Sequence, residues 1–146
     1  MPSITGPVTP SGIILQMTIC EPGHVQRMMA AHTSETEGDK TISLAGFNAL
    51  LDTGATRTCV SPAVIAQAGL KPFSRTIVQT AAGPSEVDQF QADVILQMGT
   101  TITFGNFTIT EFSCPDTSPF QALLGMDIIM NGCLTISFDG RFTFSV

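Results

Sequence analysis

One acidic side chain in the first half of the sequence stands where it could do chemistry. Asp52 follows the apolar segment 47–51 and begins the short sequence Asp-Thr-Gly-Ala, which ends at residue 55. About seventy residues later, a second apolar segment ends in Leu-Leu-Gly at residues 123–125. A carboxylate at the end of a buried strand is costly unless it is hydrogen-bonded or shares a proton with a second titrating group. Asp52 is therefore the first candidate for a catalytic acid or base.

Sulfur and imidazole side chains offer weaker alternatives. The four cysteines lie far apart, without a Cys-x-x-Cys pair or a neighbouring histidine, which favours free, largely buried thiols over zinc ligands or disulfides. His24 and His32 stand alone in a polar stretch. Cys59 is a candidate nucleophile seven residues after Asp52, but the sequence positions no histidine to activate it. We therefore expect no metal ion and no organic cofactor.

The elements that must position the candidate acid are predicted to be short strands with few helices. Segment 12–20 is apolar and is flanked by Gly and Pro-Gly, which favours a strand, and another strand is predicted to end at Leu51. Ser61 and Pro62 are residue types typical of an N-cap and a first helical position. We predict a short helix there that ends at Gly69, a suitable left-handed cap.

A protruding hairpin is predicted after this helix. The small residues 81–85 separate segment 75–80 from the long, partly alternating segment 86–98, so they are expected to form the hairpin tip. Two further strands are predicted over 101–104 and 107–112. Strands therefore outnumber helices.

The C-terminal residues have the clearest strand pattern. Apolar residues alternate with Thr and Ser on both sides of an Asp-Gly turn, which predicts a hairpin with one apolar face. The six apolar residues are Leu134, Ile136, Phe138, Phe142, Phe144 and Val146. They either cover a second copy of the chain, in which case Phe144→Asp leaves a monomer, or line the core of their own copy. Upstream of them, Asp127 is predicted to cap a short helical turn.

Two segments have weaker patterns. Residues 1–11 combine three prolines with Gly, Ser and Thr, so we predict a flexible N-terminal arm outside a single domain at 12–146. Residues 21–40 are predicted to form a long loop with one helical turn around 25–31. This loop is either a solvated connection or a surface that recognises a partner.

Composition narrows the classes of function. A chain of 146 residues fits one domain, and only 12% of its residues are charged, against roughly 25% in most soluble domains. Together with a hydrophobic content of 43%, the low charge content excludes disorder and suggests that some surface is hidden against a partner. A net charge of −6 without a basic cluster argues against nucleic acid as a ligand. Since no signal peptide or membrane span is evident, we expect a cytoplasmic protein with no membrane partner.

Three motifs together resemble the retropepsin-like aspartic proteases, the family of retroviral and retrotransposon proteases and related cellular domains. Residues 49–55 resemble the catalytic loop of that family, and residues 80–85 occupy the place of its flap. Residues 122–129 resemble the apolar-apolar-Gly motif that precedes the family's C-terminal helix. The resemblance spans roughly 12–146 and implies an all-β fold with small helices only, a retropepsin-like closed β-barrel with a flap hairpin, assembled as a twofold homodimer.

The resemblance also implies roles for individual residues. Asp52 would be the catalytic carboxylate, and Thr53 and Gly54 would support the active site, Thr53 within a hydrogen-bonded network that holds two active-site loops together. The residues expected to contact the substrate are Ala55, Ala82 and Gly83.

The chain departs from the viral members of the family at two linked positions. Where those often have an Asp after Asp-Thr-Gly-Ala and an Arg after the later Gly, this chain has Thr56 and Met126. Both partners of that ion pair are therefore missing together. The insertion at 21–40 and the two-stranded C-terminal ending resemble cellular and bacterial members more closely. Because the sequence contains no Tyr, it cannot have the flap tyrosine of the two-lobed pepsins.

The chemistry of this family requires two carboxylates that share one proton. The chain contains a single Asp-Thr-Gly and is about half the length of a two-lobed enzyme, so the second carboxylate must be Asp52 of another copy. We therefore expect a homodimeric aspartic endopeptidase that acts on extended peptide or protein substrates. The alternative is a retropepsin-like domain that binds peptides or dimerises but catalyses little, since a fold does not establish an activity.

Overall fold

The alternating segments of the sequence form strands, most of which close into a barrel. A computed structural model of the protein describes residues 2–27, 30, 46–115 and 117–146. The strands are β1 (Ser3–Pro7), β2 (Ile14–Cys20), β3 (Phe47–Leu51), β4 (Cys59–Val60), β5 (Ser74–Thr80), β6 (Gly83–Met98), β7 (Thr100–Glu111), β8 (Ala122–Leu124), β9 (Cys133–Ile136) and β10 (Arg141–Ser145). The helices with defined bounds are α1 (Pro62–Gln67) and α2 (Met126–Ile129).

The barrel has six strands in the order β2-β3-β8-β4-β7-β6, and β6 pairs back to β2 to close it. Strand β5 continues the sheet beyond β6, so that β5 and the first part of β6 project as a hairpin. Strand β6 is long enough, at 16 residues, to serve both the hairpin and the barrel. The predicted all-β architecture, a closed barrel with a protruding hairpin, is confirmed.

Apolar side chains fill the barrel and supply most of its stability. Leu15 and Met17 of β2, Val94 and Leu96 of β6, and Leu124 of β8 are almost completely buried. Each fully buried side chain of this kind stabilises the fold by about 1.5–3 kcal/mol. The ends of the strands around this core are therefore well anchored.

The prediction of a flexible N-terminal arm at residues 1–11 is wrong. Residues 3–7 form strand β1, which pairs antiparallel with β10, and Ile4 is completely buried. Ile4 lies opposite Phe144, and the Thr5 hydroxyl donates a hydrogen bond of 2.8 Å to the Phe142 carbonyl. The prolines do not prevent this pairing, because proline is tolerated on an edge strand and at a strand end.

The two strands predicted over 101–104 and 107–112 are one strand, β7. The sheet register shifts opposite Ala92 and Val94, and Asn106 has a left-handed φ of 49°. The buried Asp93 carboxylate accepts hydrogen bonds from the backbone N–H of Asn106 at 2.8 Å and of Gly23 at 2.9 Å. A β-bulge therefore absorbs the interruption that the sequence shows at Gly105, and the strand continues.

Helix α1 confirms the predicted short helix. It begins with Pro62 at its first position, Ser61 is its N-cap residue, and Gly69 has a φ of +70° just beyond its end. The Ser61 side chain makes no capping hydrogen bond, so the proline and the left-handed glycine are what mark this helix in the sequence.

The C-terminal hairpin is confirmed as β9 and β10, which with β1 make a three-stranded sheet in the order β1-β10-β9. Its apolar face is divided between two environments. Phe142 and Phe144 on the central strand are buried in the core of their own copy, whereas Ile136 remains 59% exposed and Phe138 fully exposed. For Phe142 and Phe144, the second alternative therefore holds: they line the core of their own copy, because they lie on the central strand of this sheet.

The insertion is described only at its beginning. Residues 24–27 and 30 are helical, in agreement with the helical turn predicted there, and residues 28, 29 and 31–45 lie outside the described residues. In the part of the chain that the structure describes, no helix combines the length and the apolar character that crossing a membrane requires.

Candidate active site

Parallel pairing of two short strands brings the two main sequence motifs together. Strand β3 pairs with β8 so that Leu51 lies opposite Leu124. Because parallel strands end at the same edge, Asp52 and Gly125 leave the sheet side by side, and the Asp52 N–H donates to the Leu124 carbonyl at 2.9 Å. The Asp-Thr-Gly loop and the Leu-Leu-Gly motif therefore form one structural unit.

The Asp52 carboxylate is partly exposed and held by its own loop. The Gly54 N–H donates a hydrogen bond of 2.8 Å to Asp52 Oδ1, and the Ala55 N–H donates to the Asp52 carbonyl at 3.2 Å. A Cβ atom at position 54 would lie 3.1 Å from Asp52 Oδ1, so glycine allows this tight turn. The loop thus orients one carboxylate oxygen while Thr53, next to it, is exposed to solvent.

Gly125 lets the two loops pack backbone against backbone. A Cβ atom at this position would lie 2.6 Å from the Arg57 carbonyl carbon and 2.9 Å from the Ala55 carbonyl oxygen. In the native packing, the Met126 N–H donates to the Ala55 carbonyl at 2.8 Å, and the Asp127 N–H donates to the Thr56 carbonyl at 3.3 Å. Glycine is required here because no space exists for a side chain. Its backbone conformation does not require glycine, since other residues also adopt a φ of −89°.

Asp127 and Thr58 join the two loops in a way that the sequence analysis missed. The Thr58 hydroxyl is completely buried, donates to Asp127 Oδ1 at 2.7 Å and accepts from the Gly125 N–H at 3.1 Å. The Thr58 N–H donates to Asp127 Oδ2 at 2.9 Å. These bonds connect the two loops that the absent ion pair at Thr56 and Met126 would have connected.

The predicted capping role of Asp127 is accordingly wrong. The N-cap of helix α2 is Gly125, and Asp127 lies in the first turn, where its Oδ1 also accepts from the Ile128 N–H at 2.9 Å. The only signal in the sequence was an acidic residue close after the Leu-Leu-Gly motif, and its partner Thr58 could be found only from the packing of the loops.

A cleft lies between the Asp-Thr-Gly loop and the hairpin strand β5. Its volume is about 440 Å³. It is lined by Gly54, Ala55, Thr56, Arg57, Cys59, Ile77, Val78 and Gln79. The barrel edge and the projecting hairpin together therefore make a site that is open at one side.

The hairpin tip stands beyond the lining of this cleft. Thr80 pairs with Gly83, so Ala81 and Ala82 form a two-residue loop, and Gly83 has a left-handed φ of +111° that favours glycine. Of the three residues expected to contact a substrate, Ala55 lines the cleft, whereas Ala82 and Gly83 lie at the tip.

The thiol of Cys59 lines the cleft but is not suited to act as a nucleophile. Burial raises its pKa to about 11, with smaller contributions in the same direction from Asp127 and Asp52 and an opposing one from Arg57. At neutral pH the thiol is therefore protonated, and the thiolate is the reactive form. The structure therefore gives no support to a cysteine nucleophile at this position.

All four cysteines are free, as predicted, but their expected burial is only partly correct. Cys20 is buried, Cys59 and Cys114 are half-buried, and Cys133 is exposed on the edge strand β9.

A closed barrel with a projecting hairpin and an Asp-Thr-Gly loop is the arrangement expected of an aspartic protease fold, and a comparison of the sequence supports that class. Residues 39–128 match the family model for aspartyl proteases. This match covers more than half of the chain, so the chain belongs to this aspartyl protease family. A comparison with curated protein sequences gave no significant match.

Solved structures identify the fold. The crystal structure of a retropepsin-like aspartic protease from Rickettsia conorii is similar with a TM-score of 0.59 and 12% sequence identity, over 98% of this chain and 90% of that one. The solution structure of the Simian Foamy Virus (mac) protease has a TM-score of 0.45 and 18% identity, over 81% of this chain and 92% of that one. The first similarity confirms the predicted retropepsin-like fold.

Proposed function

We propose that the protein is an aspartic endopeptidase in which Asp52 from each of two copies forms the catalytic pair. The observation that carries this proposal is the exposure and hydrogen bonding of the Asp52 carboxylate. Asp52 is partly exposed, the next residues of its loop from Gly54 onward line the cleft, and among the described residues only its Oδ1 accepts a hydrogen bond, from Gly54. A family member with one such loop needs a second copy to supply the other acid.

The two carboxylates would divide the work of peptide hydrolysis. The ionised one takes a proton from water, whose oxygen attacks the scissile carbonyl carbon, while the protonated one donates its proton to the carbonyl oxygen. The tetrahedral intermediate then loses its C–N bond as the amide nitrogen receives a proton from one acid of the pair, while the other acid takes a proton from a hydroxyl group of the intermediate. The proton count of the pair is restored, and neither a metal ion nor an organic cofactor is required.

The cleft suits an extended peptide. Strand β5 is at the edge of its sheet, so its outer backbone groups can pair with a peptide that lies along it. Ile77 on this strand is 69% exposed and lines the cleft, where it would contact apolar substrate side chains. The exposed Thr53 and the hairpin tip at Ala82 and Gly83 would complete the site against the second copy and the substrate.

The edge of the C-terminal sheet is the surface that would join the two copies. Among the described strands, β9 lies at the edge of its sheet, and the exposed Ile136 and Phe138 extend the apolar surface beyond the core of their own copy. Exposed apolar side chains next to an open strand edge are typical of an interface.

Phe138→Asp is therefore expected to weaken dimerisation by at least about 100-fold, because it puts a charge into an apolar contact. Analytical ultracentrifugation over a range of concentrations measures the dissociation constant. Phe73→Asp changes a 55% exposed phenylalanine on another surface and serves as the matched control. An unchanged dissociation constant in Phe138→Asp would exclude this edge as the interface. Phe144→Asp, by contrast, should unfold the chain, because Phe144 is completely buried.

A transition-state analogue separates the proposed enzyme from its alternative, an inert peptide-binding domain. A peptide with a hydroxyl-bearing tetrahedral carbon in place of the scissile carbonyl should bind at least about 100-fold tighter than the matching peptide. The hydroxyl would lie between the two carboxylates, where the attacking water is bound. Calorimetry with both ligands tests this, and equal affinities would favour the inert domain.

A further inference from the structure

The cleft is lined by a positively charged residue, although the net charge of the protein is negative. Among the described residues that line the cleft, Arg57 is the only charged one, and it is exposed. The chain as a whole has a net charge of −6. A guanidinium at this position therefore makes the electrostatic potential inside the cleft different from that of the surrounding surface.

The guanidinium of Arg57 has unused hydrogen-bonding capacity. Its Nη1 donates a long hydrogen bond of 3.4 Å to Thr76 Oγ1 on strand β5. Arg27 and Arg75 lie 3.1–3.7 Å from carboxylates, but among the described residues no carboxylate pairs with Arg57. Since a guanidinium has five N–H donors, most of those on Arg57 are available to an occupant of the cleft.

The two carboxylates of the loops next to Arg57 already have other roles. Asp127 accepts hydrogen bonds from the Thr58 hydroxyl and backbone and from the Ile128 N–H. Asp52 accepts from the Gly54 N–H and is the proposed catalytic acid. Neither of these acids is placed to neutralise Arg57 by a direct ion pair.

The backbone that carries Arg57 is held rigidly. The carbonyl of Arg57 packs against Gly125, and the next residue, Thr58, is tied to Asp127 by two hydrogen bonds. A charged side chain on such an anchored loop keeps its place relative to the substrate, which is what discrimination between substrates requires.

We propose that Arg57 selects substrates with an acidic side chain in the part of the peptide that lies between the Asp-Thr-Gly loop and strand β5. This inference rests on the proposed peptidase function. In a twofold dimer, each copy contributes one Arg57, so the preference is expected at one position on each side of the cleaved bond. The acidic side chain would accept charge-assisted hydrogen bonds from the guanidinium.

The test uses one cleavable peptide in which each position within four residues of the bond is varied among Glu, Gln and Lys. We expect kcat/KM to be about tenfold higher for Glu than for Lys at the position that contacts Arg57. Arg57→Glu should reverse this order, and Arg57→Gln should remove most of it. The preference should also shrink at high salt, because the contact is partly exposed.

Lys71→Glu is the matched control. It makes the same change in net charge on an exposed lysine that lines a different surface depression, and it should keep the order of the wild type. If the wild-type protein cleaves the Glu and Lys peptides equally well at every position, the role of Arg57 is refuted and the peptidase function stands.

If the wild-type protein cleaves none of the peptides, the proposed function fails and the selectivity is measured by binding. Fluorescence anisotropy with the labelled Glu and Lys peptides then decides. Tighter binding of the Glu peptide that is lost in Arg57→Glu supports the role of Arg57, and equal binding of the two peptides overturns it.

Discussion

Asp52→Asn is expected to lower kcat/KM for peptide cleavage by at least about 10³-fold, with fold and dimer intact. The amide oxygen of Asn can still accept the hydrogen bond that the Gly54 N–H donates to Asp52 Oδ1 at 2.8 Å. It cannot take a proton from water, and the pair then loses its shared acidic proton as well. General acid–base catalysis contributes about 10²–10⁴-fold per group, so the loss of both roles removes most of the rate.

The measurement is hydrolysis of a quenched fluorescent peptide over a range of pH values, with circular dichroism and ultracentrifugation on the same samples. Asp88→Asn is the matched control. This change removes an exposed ion pair with Arg75 at the base of the hairpin, and it should alter the rate by no more than about twofold. Cleavage that persists in Asp52→Asn would disprove the assignment of the catalytic acid.

Mixing the wild-type protein with Asp52→Asn tests whether two copies share one site. A mixed dimer would have a single carboxylate, so an equal mixture that has exchanged subunits should retain about a quarter of the wild-type rate per total protein. A rate of about half would mean that each copy acts alone, which would contradict the shared pair even if Asp52 is essential.

Gly125→Ala is expected to have the second largest effect, because the new methyl group meets backbone atoms that cannot move aside separately. It would lie 2.6 Å from the Arg57 carbonyl carbon and 2.7 Å from its oxygen. Inserting a methyl group into such tight packing costs about 1–3 kcal/mol of the free energy of unfolding. The loop that carries Asp52 would also shift, and a displacement of about 1 Å at a reacting group lowers activity by about 100-fold.

Denaturant unfolding and peptide cleavage of the same variant test this expectation. Gly105→Ala is the matched control, since its methyl group would have Asp93 Oδ1 as its nearest neighbour at 3.9 Å, an ordinary contact. Gly125→Ala with wild-type stability and activity would mean that the two loops do not need this close approach.

Local patterns in the sequence were sufficient to identify most elements of the fold. Helix α1 was predictable because Pro62 and Gly69 act through the backbone of their own segment. The C-terminal hairpin was predictable because alternation and an Asp-Gly turn are also local features. Asp52 stood out because a carboxylate directly after an apolar strand is costly unless the fold compensates for it.

Features that depend on distant partners were not predictable in this way. Strand β1 was mistaken for a flexible arm because its partner β10 lies at the other end of the chain. The interruption in β7 became a bulge because the buried Asp93 binds the backbone there. Phe144 and Ile136 belong to the same alternating pattern, yet only the position of their strands, central or edge, determines which of them is buried.

The sequence by itself therefore determined which residue could supply the catalytic acid and that it contains a single Asp-Thr-Gly. Only the tertiary structure decided what lies around it. The parallel pairing of β3 with β8 sets Asp52 beside Gly125, Thr58 and Asp127 connect the two loops, and Arg57 is left facing the cleft. The physical reason is that turns and alternation depend on neighbouring residues, whereas burial and hydrogen-bond partners depend on residues brought together from distant parts of the chain.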